Sequence, residues 1–317
     1  MGAYPSTGPL GQEGRAAPVE DGPMSFTVDS EPGPVRLRYF APPHHLRDYF
    51  GSLYLFAVDS GPYADVTRAD IAQFRLLLMG SGHYRFQDGS VHRATEAVLL
   101  GPTNGATRFE LDGPSYILGI SLLPAGWTIL NCGPADALAD TMRDLCDQHH
   151  DPLSLLLDEV RTLADPQAMV DRIWTLLAAQ IVAALPLRES VWRFIETVDA
   201  WLVGEGSPRI ETLAAATGLS SRQLARQTNL YYGAPPKLLA RKYRALRCSA
   251  RIVLDGANWQ TLCEEADFYD QSHFIREIKQ FIGLTPHQLL NEPTAVAQLT
   301  LLRRSLGSDV ALLNRLS

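Results

Sequence analysis

Residues 210–236 read IETLAAATGLSSRQLARQTNLYYGAPP, and residues 260–286 read QTLCEEADFYDQSHFIREIKQFIGLTP. The two stretches are one pattern written twice. Leu224 answers Phe274, Arg226 answers Arg276, Gly233 answers Gly283 and Pro236 answers Pro286, all at an offset of fifty. Upstream of the turn the offset is forty-nine, where Leu213 answers Leu262 and Gly218 answers Asp267, so the second turn is one residue longer. Each copy has a short helical pattern, a tight turn and a second helical pattern with a polar outer face, the layout of a helix-turn-helix. In the first copy Leu213 and Ala214 face inward, and Gly218 is free to take the positive φ that reverses the chain. Ser220 with Gln223 three residues on makes a capping box. Leu224, Thr228 and Tyr231 then form the buried stripe, which leaves Arg222, Arg226 and Asn229 outside. In the second copy Asp270 is the cap, and Phe274, Ile278 and Phe281 face in. Gln271, Ser272, Arg276 and Lys279 face out. Between the copies, residues 236–254 predict a helix of about 19 residues, near 28 Å long. Successive major-groove entries on one face of B-DNA lie about 34 Å apart.

This duplicated stretch resembles the DNA-binding domain of AraC/XylS-type transcription regulators, whose second motif reads IAxxxGFxDxSHFxRxFKxxxGxTP. Leu262, Phe268, Asp270, Ser272, His273, Phe274, Arg276, Lys279, Gly283, Thr285 and Pro286 match it. The first motif matches through Leu213, Ala214, Gly218, Ser220, Arg222, Leu224, Arg226 and Gly233. The sequence departs from the pattern at Asp267, where a turn glycine is usual, at Thr228, where phenylalanine is common, and at Cys263. The resemblance implies double-stranded DNA as partner, with Ser221, Arg222, Arg226 and Gln227 entering one major groove. Gln271, Ser272, His273, Arg276 and Lys279 would approach the next, His273 standing beside the buried stripe. It further implies RNA polymerase contact, a small-molecule effector, a homodimer and activation of transcription. It implies no cofactor, no catalysis and no membrane.

The charge distribution fits that partner better than the total does. The net charge is −7, but residues 1–187 carry −10 (12 basic, 22 acidic) and residues 188–317 carry +3 (16 basic, 13 acidic). Positions 209–251 hold nine Lys or Arg against Glu211 alone, a local +8. Positions 252–290 hold Arg276 and Lys279 against six acids, a local −4. Because phosphate contact supplies much of the affinity of such proteins, the first motif is expected to hold DNA more strongly than the second.

Outward from the repeats, residues 1–34 carry six Pro and six Gly and predict a disordered leader. From Arg36 to Leu123 short strands alternate with turns: 36–40, 53–58, 74–79, 83–87, 97–100, 107–111 and 116–123. Gly80-Ser81-Gly82, Asp88-Gly89, Gly101-Pro102 and Asp112-Gly113-Pro114 punctuate them. Residues 101–140 are also similar to an N-terminal domain found with AraC-type motifs, which implies a cupin-like barrel. Helices are expected over 135–147, from Pro152 to about Leu163 and from Pro166 to Leu185, the last two either packing on the barrel or carrying a dimer contact. A helix with Val191, Ile195, Val198 and Leu202 on one face opens the DNA-binding half. The tail with Val296, Leu299 and Leu302 predicts an extra helix against the second motif. The chain thus divides into a leader (1–34), a β-rich sensor and dimerisation domain (35–185), an AraC-type domain (188–290) and a helical tail (291–317). The fold class is α+β, a β-barrel with a helical appendage followed by an all-α domain.

His83, His92, the His44-His45 pair and His149-His150 lack the spacing of a metal-bearing cupin, and no metal site is expected. Cys132, Cys146, Cys248 and Cys263 show no CxxC spacing and are expected reduced. There is no GxSxG elbow and no phosphate loop, so an enzyme on the barrel has no catalytic set to stand on. An effector would line up with aromatic and polar residues of the barrel, for which Arg75, His83, Tyr84, Arg85, Tyr116 and Trp127 are candidates. Without a signal segment or an apolar run of membrane length, a cytoplasmic location is the default expectation. The competing reading is a sensor or interaction protein whose acidic second motif no longer engages DNA and which sequesters a partner.

Overall fold

The computed structural model describes residues 25–29, 35–146, 152–204, 206–266 and 268–316. Its strands are β1 (Ser25–Asp29), β2 (Val35–Phe40), β3 (Phe50–Val58), β4 (Tyr63–Thr67), β5 (Ala72–Met79) and β6 (Gly82–Arg85). They continue with β7 (Val91–Arg93), β8 (Ala97–Leu100), β9 (Thr107–Leu111), β10 (Ser115–Leu122) and β11 (Met142–Asp144). They form two antiparallel sheets, ordered β1-β2-β3-β10-β5-β8-β11 and β4-β9-β6-β7. The larger sheet is buried on both faces, because successive side chains of a strand point to opposite sides. Leu53, Leu55, Leu76, Leu99 and Leu118 point toward helices. Leu37, Phe56, Leu77 and Ile117 point toward Tyr84 and Phe109 of the smaller sheet.

The helices are α1 (Pro124–Ile129), α2 (Pro152–Thr162), α3 (Pro166–Ala183), α4 (Glu189–Val203), α5 (Ile210–Thr217) and α6 (Ser221–Tyr232). Then come α7 (Pro236–Leu254), α8 (Trp259–Glu265), α9 (Gln271–Ile282), α10 (Pro286–Asn291), α11 (Ala295–Leu301) and α12 (Leu312–Leu316). Helices α2 and α3 cover the sheet of their own chain through Leu156, Leu157, Val160, Ile173, Trp174 and Leu177. Val182 and Leu185 at the end of α3 stay exposed.

Four expectations change. Part of the expected leader, Ser25–Asp29, is an edge strand paired in register with Phe40–Arg36 of β2; residues 1–24 and 30–34 lie outside the described residues. Strands β4, β7 and β11 were not legible, being short and weakly patterned. The helix expected over 135–147 is instead a 3₁₀ turn, Ala135–Leu138, followed by β11. Met142, Arg143 and Asp144 pair with Leu100, Leu99 and Val98. The open edge of β8 offers ladder hydrogen bonds that outweigh the local helical pattern.

The tail also departs from expectation. It returns to the β-domain, where Val296, Leu299, Leu306 and Val310 share a core with Val35, Leu37 and Phe56. The backbone N–H of Val296 donates to Asp65 Oδ2 at 3.0 Å. The fully buried Asn314 accepts the Ser52 N–H at 2.9 Å. Sequence alone could not supply that destination, because a short apolar stripe fits any apolar face within reach.

Candidate nucleic-acid interface

Both copies of the repeat build the same local structure. Ser220 and Gln223 close the capping box of α6, and Asp270 accepts the His273 N–H at 2.6 Å to cap α9. Gly218 turns the first motif at φ 66°, and Gly233 and Gly283 end the two recognition helices at φ 74° and 89°. The capped starts expose Ser221 and Arg222 on α6, with Arg226 exposed one turn on and Gln227 half-buried beside it. Gln271, Ser272, Arg276 and Lys279 are exposed on α9. The inner stripe of α6 is Leu224, Thr228 and Tyr232, with Tyr231 only partly covered, which corrects the expected stripe by one position. The inner stripe of α9 is Phe274, Ile278 and Phe281. Phe274 is fully buried, edge-on to Phe268 at 4.8 Å and stacked on Trp259 at 6.0 Å. Such pairs add about 0.5–1.5 kcal/mol each beyond burial.

Helix α7 sets the spacing between the motifs. It has 19 residues, a rise of about 28 Å. Its inward residues tie both motifs and the β-domain together. Arg241 binds the buried Glu277 of α9 through Nε and Nη2 at 2.6–3.1 Å. Arg244 stands 3.9 Å from the same carboxylate and His273 3.8 Å from it. Lys242 is buried and donates to the carbonyls of Asp70 at 2.6 Å and Thr103 at 2.8 Å. Burial pulls its pKa down to about 8, against the pull of Asp70 and Asp140.

The β-domain grips both recognition helices at equivalent points, their C-terminal glycines. A Cβ on Gly233 would meet Pro102 at 2.4 Å, and one on Gly283 would meet Val66 at 2.4 Å. Asn104 Nδ2 donates to the Gly233 carbonyl at 3.1 Å. The N–H groups of Ala69 and Ala106 donate to the carbonyls of Phe281 at 2.6 Å and Gln280 at 2.9 Å. At the other side of α6, Arg226 and Gln227 line a shallow groove with Pro134 and Asp136.

Helix α4 is pinned to α6 through Tyr232, whose hydroxyl donates to Asp199 at 2.7 Å and contacts the Ile195 carbonyl at 3.0 Å. Burial pushes the half-buried Asp199 carboxyl up to about 7, against the lowering effect of the Tyr232 hydroxyl. The folded chain therefore holds a proton between roughly pH 4 and pH 7 that an unfolded aspartic acid has already lost. Stability contributed here falls as pH rises through that window. Asp199→Asn is expected to flatten the decline in unfolding free energy between pH 5 and pH 8, measured by urea titration. An unchanged slope would show that another group carries it.

Between the two sheets lies a cavity of about 70 Å³. Three guanidiniums, those of Arg68, Arg75 and Arg303, and one carboxylate, that of Asp70, are among its lining groups. Tyr54 donates to Gln73 Oε1 at 2.8 Å, Arg75 Nε donates to the same oxygen at 3.0 Å, and Gln73 Nε2 donates to Asp70 at 2.9 Å. Arg303 reaches Asp70 from the tail at 3.2 Å. Gly119 is required here, since a Cβ would meet the Tyr54 ring at 2.1 Å.

Residues 213–292 match a family described as a helix-turn-helix domain. These residues form an AraC-type helix-turn-helix domain. No curated protein matches the chain. Among solved structures, apo ToxT from Vibrio cholerae strain SCE256 is similar at 12% identity, over 76% of this chain and 98% of that one, with a TM-score of 0.45. The same protein bound to an unsaturated fatty acid gives 12%, 78%, 97% and 0.45. AerE from Microcystis aeruginosa gives 14%, 32%, 46% and 0.26.

Within the AraC-type domain two sequence-level assignments shift. Glu277 was counted among the acids that weaken the second motif, yet it is buried against Arg241, so its charge is compensated inside the protein. His273 is half-buried, edge-on to Phe268 at 5.7 Å, and its Nδ1 accepts the Tyr269 N–H at 3.4 Å. It shapes the start of α9 rather than standing on the outer face. The turn residue Asp267 and the pair His149-His150 lie outside the described residues.

Of the effector candidates, the structure brings together Arg75 and Tyr84, whose ring lies 5.1 Å from the Arg75 guanidinium. His83 faces away toward Glu110 at 3.4 Å, and Arg85 is exposed. Tyr116 lines an outer groove with Arg36 and Arg38, and Trp127 is a core residue donating to the Gly133 carbonyl. Missing from the expected set were Tyr39, Tyr54, Arg68, Asp70, Gln73 and Arg303. Gln73 and Arg75 alternate along one strand and could have been flagged as polar residues facing inward. Nothing near Arg303 in sequence points to the barrel.

Proposed function

We propose that this chain is a sequence-specific transcription regulator in which α6 and α9 enter successive major grooves. In this reading α6 supplies the larger share of the phosphate contact, and the β-domain, divided from the DNA-binding half near residues 185–188, senses a small effector. The supporting observation is the repeated geometry. Two capped helices bury equivalent apolar stripes, expose Arg222 and Arg226 or Arg276 and Lys279, and stand on either side of one 19-residue helix. A homodimer, contact with RNA polymerase, activation and a cytoplasmic location belong to the same proposal. The exposed Val182 and Leu185 at the end of α3 offer an apolar start for a dimer contact. Burial of Glu277 weighs against the competing reading of a degenerate second motif, because the outer face of α9 is less acidic than its sequence.

The test is selection of bound oligonucleotides by the purified chain, followed by footprinting at moderate salt. Two protected segments about one helical turn apart, on one face, are expected. A single short segment would mean that only one motif engages. Arg276→Glu with Lys279→Glu is expected to weaken binding less than Arg222→Glu. Equal losses would refute the larger role given to α6.

A further inference from the structure

We propose that the cavity between the sheets binds a small organic carboxylate, clamped by Arg68 and Arg75 of the β-domain and by Arg303 of the C-terminal tail. The proposal rests on the regulator reading only in naming the effector's chemistry. The cavity's lining arginines outnumber its one carboxylate by two. Arg68 and Arg303 are close enough that burial and then the Arg303 charge push the Arg68 guanidinium down to about 9. An anion placed among the three relieves that repulsion and the desolvation of the charges together. The remaining wall is apolar: Leu37, Phe56, Leu100, Phe109, Ile117 and Val296. A charged head with a short hydrocarbon body uses both surfaces, and inorganic phosphate uses one. A volume of about 70 Å³ holds roughly five waters, the room of a butyrate or, with slight opening, a benzoate.

The tail is part of the site. Val296, Thr300 and Arg303 form its wall on one side, and the tail is held there by Asp65, Asp70 and Ser52. On the other side the cavity is lined by Thr67, Arg68, Asp70 and Thr103. These residues lie in the two segments that hold the recognition helices, through Ala69 to Phe281, Ala106 to Gln280 and Lys242 to Asp70 and Thr103. A carboxylate that draws Arg303 away from Asp70 therefore alters the contacts that fix α7 and α9.

The experiment uses the full chain without DNA, so its failure is separable from failure of the DNA-binding reading. Butyrate and benzoate, on the order of 10 mM, are expected to raise the melting temperature by several degrees, while butyramide and benzamide do not. Arg75→Gln and Arg303→Gln are expected to abolish the rise, and Arg161→Gln on the outer face to keep it. If Arg303→Gln does not fold, Arg303→Lys is expected to retain the charge but weaken acid binding about tenfold, since the guanidinium fork is lost. Amide exchange at Ala69 and Ala106 is expected to change when benzoate binds. Equal stabilisation by the amides, stronger stabilisation by inorganic phosphate, or no response to either acid would overturn the site. A response that survives at Arg303, or exchange at Ala69 and Ala106 that stays fixed, would overturn the role of the tail or the coupling.

Discussion

A chain carrying Arg222→Glu and Arg226→Glu binds its selected DNA about 100-fold or more weakly than the unaltered chain. Each arginine that pairs with a base edge is worth about 1–3 kcal/mol, and reversing its sign adds repulsion from the phosphates to the lost attraction. Both side chains are exposed on α6, so the melting temperature is expected to hold within the small range of surface substitutions. The two alanine variants separate base reading from phosphate contact. Loss confined to one base position marks a base contact. Uniform loss with a shallower salt slope marks a phosphate contact. Gel-shift titration at two salt concentrations measures both, and unchanged affinity for the double reversal would remove α6 from the interface.

Glu277→Ala lowers the unfolding free energy by about 2–3 kcal/mol. Removing one partner of a buried ion pair typically costs about 3–5 kcal/mol because the other charge is left without compensation. The lower value applies here because Arg241 keeps a third of its side chain exposed, at 34%, and water screens what remains. Arg244, more enclosed at 17%, and His273 lose the same acceptor. Glu277→Gln keeps one oxygen for Arg241 and is expected to cost about half as much. Denaturant unfolding measures both. A loss below about 0.5 kcal/mol for the alanine variant would show that the pair is a surface contact of little consequence. The same substitutions test how α7 is fastened, since Glu277 is the point where the spacer helix holds the second motif.

The effector site shows how far sequence reading reaches. Arg75 and Tyr84 were legible as aromatic and polar residues on barrel strands, and both line the cavity. His83 and Arg85 flank Tyr84 on the same strand, but its alternation turns them out. Trp127 and Tyr116 have the right chemistry in the wrong place, one in the core under the helices and one at an outer groove. The helix expected over 135–147 failed for a related reason. Local pattern gives the preference of a segment, and an unpaired strand edge nearby can override it.

The capped turns, the glycines at positive φ, the two apolar stripes and the length of α7 were determined by the sequence itself. Each depends on residues within about one or two helical turns of one another, where spacing fixes geometry. The cavity, the compensation of Glu277 and the return of the tail were decided by tertiary structure. Arg303 and Asp70 are 233 positions apart and Asn314 and Ser52 are 262 apart. Such pairs form only when two cores pack together, and whether a buried charge finds its partner is settled by that packing rather than by any local pattern.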